Sequence, residues 1–250
     1  MIAVYHFNTV QIEAQSGARA IGHTLLLEEK GRLVLVDPGI GLEDSFKPEE
    51  RLGKELIEQV GFQFDANQTA QRQMLNKGLA PHLVHHCILT HLDPDHISAL
   101  SDFPNAKIHL SQEEWDNFHS NNKRYITRQL DHQPTTHLYK KSGEKWFDFE
   151  ARKVGVGFNT EIYLIPLPGH TIGHCGVAIK KEEKWLFYIG DAYYYRLELE
   201  DSQHPVSLLA QSRADNNELR LESLWKIKRL MQTHDDVEVF SFHDPSEFVK

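Results

Sequence analysis

No apolar run in this chain comes near the ~20 residues that a membrane-spanning helix needs. Nor does a positively charged start lead into a sustained apolar stretch, so the sequence predicts a soluble, unexported chain. Cysteine is almost missing, with Cys87 and Cys175 the two present. They stand far apart, in neither a Cys-x-x-Cys pair nor a disulfide framework. Free buried thiols are expected, in a reducing compartment such as the cytoplasm. Basic residues are in the minority: 27 Lys and Arg face 36 Asp and Glu, for a formal net charge of -9. No basic run is present that would track a phosphate backbone, so neither nucleic acid nor membrane is an expected partner. Repeats, low-complexity tracts and linkers are also missing. At 250 residues and 40% hydrophobic content, the chain can bury a substantial core but is short for two, so residues 1–250 are read as one domain.

What is there reads as alternating strands and helices. Residues 21–36 form a hairpin signal, with Lys30-Gly31 as the turn between two apolar runs. Leu52, Leu56, Ile57 and Val60 fall at helical spacing, which predicts one helix over residues 48–60 stopped by Gly61. A second helix is predicted over 66–76, ending at Gly78, and a strand over 85–89. Residues 107–110 read as a short strand, followed by a helix that Ser111 and Glu114 open as a capping box. Residues 121–143 are polar and weakly periodic, which predicts a long irregular excursion near the functional site. Beyond Trp146, the runs around Ile162 and Trp185 read as strands. Leu221, Leu224, Trp225, Ile227 and Met231 predict an amphipathic helix, and residues 237–242 a last strand.

The densest chemistry is in Thr90-His91-Leu92-Asp93-Pro94-Asp95-His96, which follows directly on an apolar strand. Imidazoles and carboxylates at alternating positions on such a loop can converge on one divalent cation or a pair. Three further ligand-type groups end predicted strands: Pro168-Gly169-His170-Thr171, Gly190-Asp191 and Phe242-His243-Asp244. Of the sixteen histidines, the others are read as background. His82, His85 and His86 alternate between strand faces, so at most two could meet. His6 and His23 are read as partly buried structural residues.

Taken in order, these groups resemble the metallo-β-lactamase superfamily of hydrolases, from about residue 22 to residue 244. The match includes the strand-Asp-x-Gly turn at Asp37 and the H-x-H-x-D-H signature, read here as His91, Asp93, Asp95 and His96. The resemblance implies an αββα sandwich of two mixed β-sheets flanked by helices. It implies two divalent metal ions, zinc in the first instance. His91, Asp93 and His170 would surround one, Asp95, His96 and His243 the other, and Asp191 would bridge them. Such a pair shares a hydroxide that attacks a small-molecule substrate. Asp95 would orient that hydroxide and act as general base. Asp191-Ala192-Tyr193-Tyr194 is similar to the N-acyl homoserine lactonase branch, which implies that Tyr194 faces the substrate carbonyl, although Tyr193 or Tyr195 could take that place instead. His174 would support the ligands rather than join them.

The chain departs from the signature at Asp93, where the family usually has a second histidine. A carboxylate there can coordinate, and its harder oxygen admits iron or manganese beside zinc. Flavodiiron relatives carry a Glu at that position. Equally, Asp93 before Pro94 has the form of a helix N-cap, and both readings stand at this level. The expected function is hydrolysis of a lactone or carboxylic ester. Thioester and phosphodiester cleavage are the rivals on the same site, since a fold does not choose its substrate. A redox di-iron protein is the alternative of another class, with no room in these 250 residues for a flavin domain; a non-catalytic metal-binding relative is the third. The sequence carries no signal of oligomeric state.

Overall fold

The computed structural model describes residues 1–14 and 17–248. Its first sheet begins with three antiparallel strands, β1 (Ala3–Glu13), β2 (Arg19–Glu29) and β3 (Arg32–Val36). Lys30 (φ 53°) and Gly31 (φ 76°) make the β2–β3 turn, the double positive φ that matches the twist of a two-residue hairpin. Helices α1 (Leu42–Phe46), α2 (Pro48–Leu52) and α3 (Lys54–Val60) follow. The single helix expected over 48–60 is thus two, because Gly53 at φ 85° breaks the hydrogen-bond ladder between them. Next come β4 (Phe62–Gln63), α4 (Ala70–Asn76), β5 (Val84–Ile88), α5 (Pro94–Ile97), β6 (Lys107–Ser111), α6 (Gln112–Phe118) and β7 (Thr136–Tyr139). Seven strands assemble in the order β4-β1-β2-β3-β5-β6-β7, with β3, β5, β6 and β7 parallel. The excursion expected over 121–143 therefore contains an edge strand, β7, too short and too half-exposed to show a period.

The second sheet is built from β8 (Glu144–Trp146), β9 (Phe149–Lys153), β10 (Ile162–Pro166), β11 (Cys175–Lys181), β12 (Lys184–Tyr188) and β13 (Val237–Phe240). Its order is β13-β12-β11-β10-β9-β8, with β13 parallel to β12. Between these last two strands run α7 (Pro205–Arg213) and α8 (Asn217–Thr233).

Alternation along the strands sorts the side chains into layers. Leu25, Leu27, Val34, Val36 and Ile88 face inward and meet Ile162, Leu164, Val177, Ile179, Tyr188 and Phe240 of the other sheet. Leu26, Leu33, Leu35 and Cys87 face outward, against Met74 and Phe118 of the helices. On the far side Ala178 and Phe187 pack on Leu224, Ile227 and Leu230 of α8. Two mixed sheets flanked by helices result, the αββα sandwich. Each large apolar side chain enclosed this way contributes about 1.5–3 kcal/mol. Strands β3, β5, β10, β12 and β13 all end at one edge of the sandwich, and the ligand-type loops leave from there. Among the described residues, no helix is long and apolar enough to cross a membrane.

Candidate metal centre

Asp37 closes β3 and is completely buried. Its carboxylate accepts hydrogen bonds from Thr90 N (2.8 Å) and Thr90 Oγ1 (2.7 Å), from His96 Nδ1 (2.8 Å) and from Tyr188 Oη (2.9 Å). These bonds hold the loop after β5 against the end of β3 and fix the His96 ring with Nε2 pointing away from Asp37. The Thr90 hydroxyl, already donating to Asp37, is left to accept from His91 Nδ1 at 2.9 Å. His91 Nε2 is thereby also freed. His243 follows the same rule: Nδ1 donates to Ile21 O at 2.9 Å. In each imidazole a backbone or second side-chain acceptor takes one nitrogen and aims the other at a common space.

Two ligand groups face that space, His91 with His170 and Asp191, and Asp95 with His96 and His243. Asp191 lies between them. Its Oδ2 is 3.4 Å from both His170 Nε2 and His243 Nε2 and 3.9 Å from His91 Nε2, and its Oδ1 is 3.2 Å from His96 Nε2. Burial opposes charge on Asp191, but His243 and His96 outweigh it and hold its carboxyl well below the ordinary range. Burial likewise opposes charge on His96, and Asp191 and Asp37 reverse this and raise it well above the ordinary histidine value. The donor set suits a divalent ion: His91 Nε2, His96 Nε2 and Asp191 Oδ1 are buried with no hydrogen-bond partner. Leaving such atoms unpaired is costly unless a cation satisfies them.

His174, expected in a supporting role, accepts from Asp191 N at 3.1 Å and its other ring nitrogen meets Leu167 O at 3.1 Å. It positions Asp191 through the backbone. Gly169 (φ 137°) lets the His170 loop press on α8, where a Cβ would lie 2.2 Å from Arg220 N. The three neighbouring tyrosines separate clearly. Tyr193 Oη donates to Glu247 and Tyr195 Oη to Arg19 O. Tyr194 instead stands edge-on to His170 (5.7 Å) and to His243 (5.2 Å), over the seam between the ligand groups. Glu198 Oε1 accepts from Tyr194 N and Tyr195 N, and Arg220 is ion-paired to the same carboxylate, which braces this turn.

Asp93 sits at the N-cap position of α5, with extended backbone (φ -65°, ψ 147°) and no side-chain cap bond. Its carboxylate is gripped by Arg124, Nε to Oδ1 and Nη2 to Oδ2, each at 2.7 Å. Oδ2 also lies 3.1 Å from His170 Nε2 and 3.5 Å from His91 Nε2. Neither ligand group includes it. Burial works against its charge, yet the Arg124 pair, with His170 and His91, keeps the carboxyl well below the usual range. Arg124 and Glu114 are the participants that sequence reasoning missed. Glu114 is buried, and its carboxylate accepts from Leu92 N, Tyr125 Oη and Thr171 Oγ1, which ties the His91 and His170 loops together. The only sequence signal for Arg124 was the surplus carboxylate at Asp93, which asks for a cation.

An αββα sandwich whose strand ends gather histidines and carboxylates around one space defines a class, the metal-dependent hydrolases of that architecture. The metallo-beta-lactamase superfamily profile matches residues 18–230. The chain belongs to that superfamily. Proteins described as probable metallo-hydrolases of Mycobacterium bovis and Mycobacterium tuberculosis are each 32% identical to it over 256 residues, covering 98% of this chain and 81% of theirs. An N-acyl homoserine lactone hydrolase, solved with the product N-hexanoyl-L-homoserine at its catalytic metal centre, superposes with a TM-score of 0.75 at 18% identity, covering 98% of this chain and 94% of that one. A dizinc quorum-quenching lactonase gives 0.63 at 20% identity, over 91% and 74%.

Proposed function

We propose that this metallo-hydrolase opens a lactone or a related carboxylic ester at the centre shared by its two ligand groups. The observation that carries this reading is Tyr194, whose ring lies against a histidine of each group. A phenol in that place can donate to a carbonyl bound between the groups. Lactone hydrolases among the structural neighbours support the same substrate class.

In this reading His91, His170 and Asp191 hold one divalent ion, and Asp95, His96 and His243 hold the other with Asp191. Zinc is the expected metal, with iron or manganese the alternatives. When bound, such ions supply Lewis acidity that polarises the carbonyl and brings the pKa of water toward neutrality. Asp95, whose Oδ2 lies 3.5 Å from His243 Nε2, orients the attacking water and accepts its proton at a carboxylate oxygen. Tyr194 donates to the oxygen on which charge develops, a task that needs a donor already in place. Burial and the charges of Asp191 and Asp93 push its phenol well above the ordinary tyrosine value. The surplus carboxylate that motivated a redox di-iron reading is neutralised by Arg124, and that reading loses its support.

The test is to purify the protein without chelator, measure its metal, and assay lactones, carboxylic esters, thioesters and phosphodiesters under zinc, manganese and iron. Lactone or ester turnover that chelation removes and metal restores is the expected result. Turnover confined to phosphodiesters or thioesters would replace the substrate class. Oxygen consumption from a reduced donor, with no hydrolysis at all, would overturn the hydrolytic reading.

A further inference from the structure

Arg124 reaches the centre from the segment between α6 and β7, and its guanidinium is fully committed. Nε and Nη2 bind Asp93. Nη1 donates to His170 O, Arg213 O and Asp215 Oδ1, each at 3.0 Å. The remaining Nη2 hydrogen points at His170 Nε2, 3.0 Å away. A guanidinium has five N–H donors, and here none is left for a substrate. Arg124 is a fixed cation built into one wall of the centre.

Its last partner matters most. His170 Nε2 is the atom that faces Asp191, at 3.4 Å, and an imidazole nitrogen offers one lone pair. That pair can accept from Arg124 or bind an ion, not both. Charge beside it is nearly balanced, since Asp93 Oδ2 lies 3.1 Å from the same nitrogen, so the competition is for the lone pair. The second group has no such rival: the charged partners of His96 Nε2 and His243 Nε2 are the carboxylates Asp191 and Asp95, with no guanidinium among them.

We infer that Arg124 makes the two halves of the centre unequal. The Asp95–His96–His243 half takes a divalent ion first and tightly, and the His91–His170–Asp191 half takes a second only by displacing the Arg124 hydrogen bond to His170. This rests on the metal-centre reading above. Arg124 acts through His170 and Asp93, as a positioning residue that sets metal stoichiometry.

Zinc titration of the metal-stripped, full-length protein against a competing chelator reads the two constants without any activity assay. The wild-type chain should show one tight step and one weaker by about 10- to 100-fold, the range expected when a charged hydrogen bond must be surrendered. In Arg124→Gln the second step should tighten by a similar factor, because His170 Nε2 and Asp93 are both released, while the first is unchanged. Arg124→Ala removes the same donor with no amide in its place and should also bring the two constants together. Two equal steps in the wild type would overturn the inference and leave the hydrolase reading standing. So would a gap that persists in both variants. Absence of zinc binding in every protein would overturn the metal-centre reading itself, and this inference with it. The wild-type ratio needs no substitution, so the inference is exposed to disproof even if a variant fails to fold.

Discussion

His96 Nδ1 and Asp37 Oδ2 lie 2.8 Å apart, and both side chains are sealed from solvent. The pair joins the end of β3 to the first turn of α5, and it decides which imidazole nitrogen faces the centre. Asp37 takes three further donors, so one carboxylate organises β3, β5 and β12 at the edge where the ligand loops begin.

Asp37→Asn should therefore damage fold and site at once. An amide keeps one acceptor oxygen and turns an N–H group toward donors that had an acceptor, at a cost of about 3 kcal/mol for buried groups left unmatched. Urea unfolding should show that loss, and metal analysis should show depletion of the half that contains His96. A variant with unchanged urea midpoint and metal content would deny Asp37 this organising role.

Asp95→Asn separates chemistry from assembly. Turnover should fall by about a thousandfold, the middle of the range for losing a general base, while metal is partly retained through His96, His243 and Asp191. Rates under saturating metal, set beside metal content, give the answer. Undiminished turnover would remove Asp95 from the proton-transfer role.

Tyr194→Phe keeps the ring that packs on His170 and His243 and deletes only the hydroxyl. kcat should drop on the order of 100-fold, as for one lost oxyanion donor, with metal content unchanged. A drop shared equally by Tyr193→Phe would mean that stability, not carbonyl binding, had been measured.

Acid should destabilise the chain through a histidine pair outside the centre. His6 Nδ1 and His23 Nε2 are 2.7 Å apart. Burial lowers His6 to about 4, helped by Lys181, and lowers His23 to about 3, helped by His6. Below the ordinary value of 6.5 the unfolded chain binds protons that the folded chain refuses, so stability is present above 6.5 and is lost as pH falls toward 3. The limiting slope is about 1.4 kcal/mol per pH unit for each histidine. Urea midpoints between pH 4 and 7 should trace this decline, and His6→Phe should flatten it. A flat wild-type profile would contradict the assignment.

Much of this was legible in the sequence because it is local. Lys30-Gly31 marks a hairpin wherever it falls between apolar runs, and each ligand-type residue follows directly on a strand whose hydrophobicity is plain. Pairings across distance were not legible. Arg124 and Asp93 stand 31 residues apart, and nothing in the polar segment around Arg124 distinguishes it from Lys123 or Arg128. Asp93 was read as a ligand or a cap; it occupies the cap position without a side-chain cap bond, and its carboxylate pairs with Arg124 beside His91 and His170. The tyrosine run was ambiguous for a similar reason, since Glu247 and Arg19, which draw Tyr193 and Tyr195 away, lie far along the chain. The unbroken helix expected over 48–60 failed at Gly53, where tertiary context exploits the conformational freedom of glycine.

The candidate ligand residues run from His91 to His243 and are divided between the two sheets, His91, Asp95 and His96 on one and His170, Asp191 and His243 on the other. An ion seated among them is thus a staple through the seam of the sandwich, closing a loop of most of the chain. Since no such arrangement survives unfolding, its binding free energy is added to folding, by about 2.7 kcal/mol when free metal is a hundredfold above Kd. On the proposed reading, metal supply adds to the persistence of the sandwich as well as to its turnover.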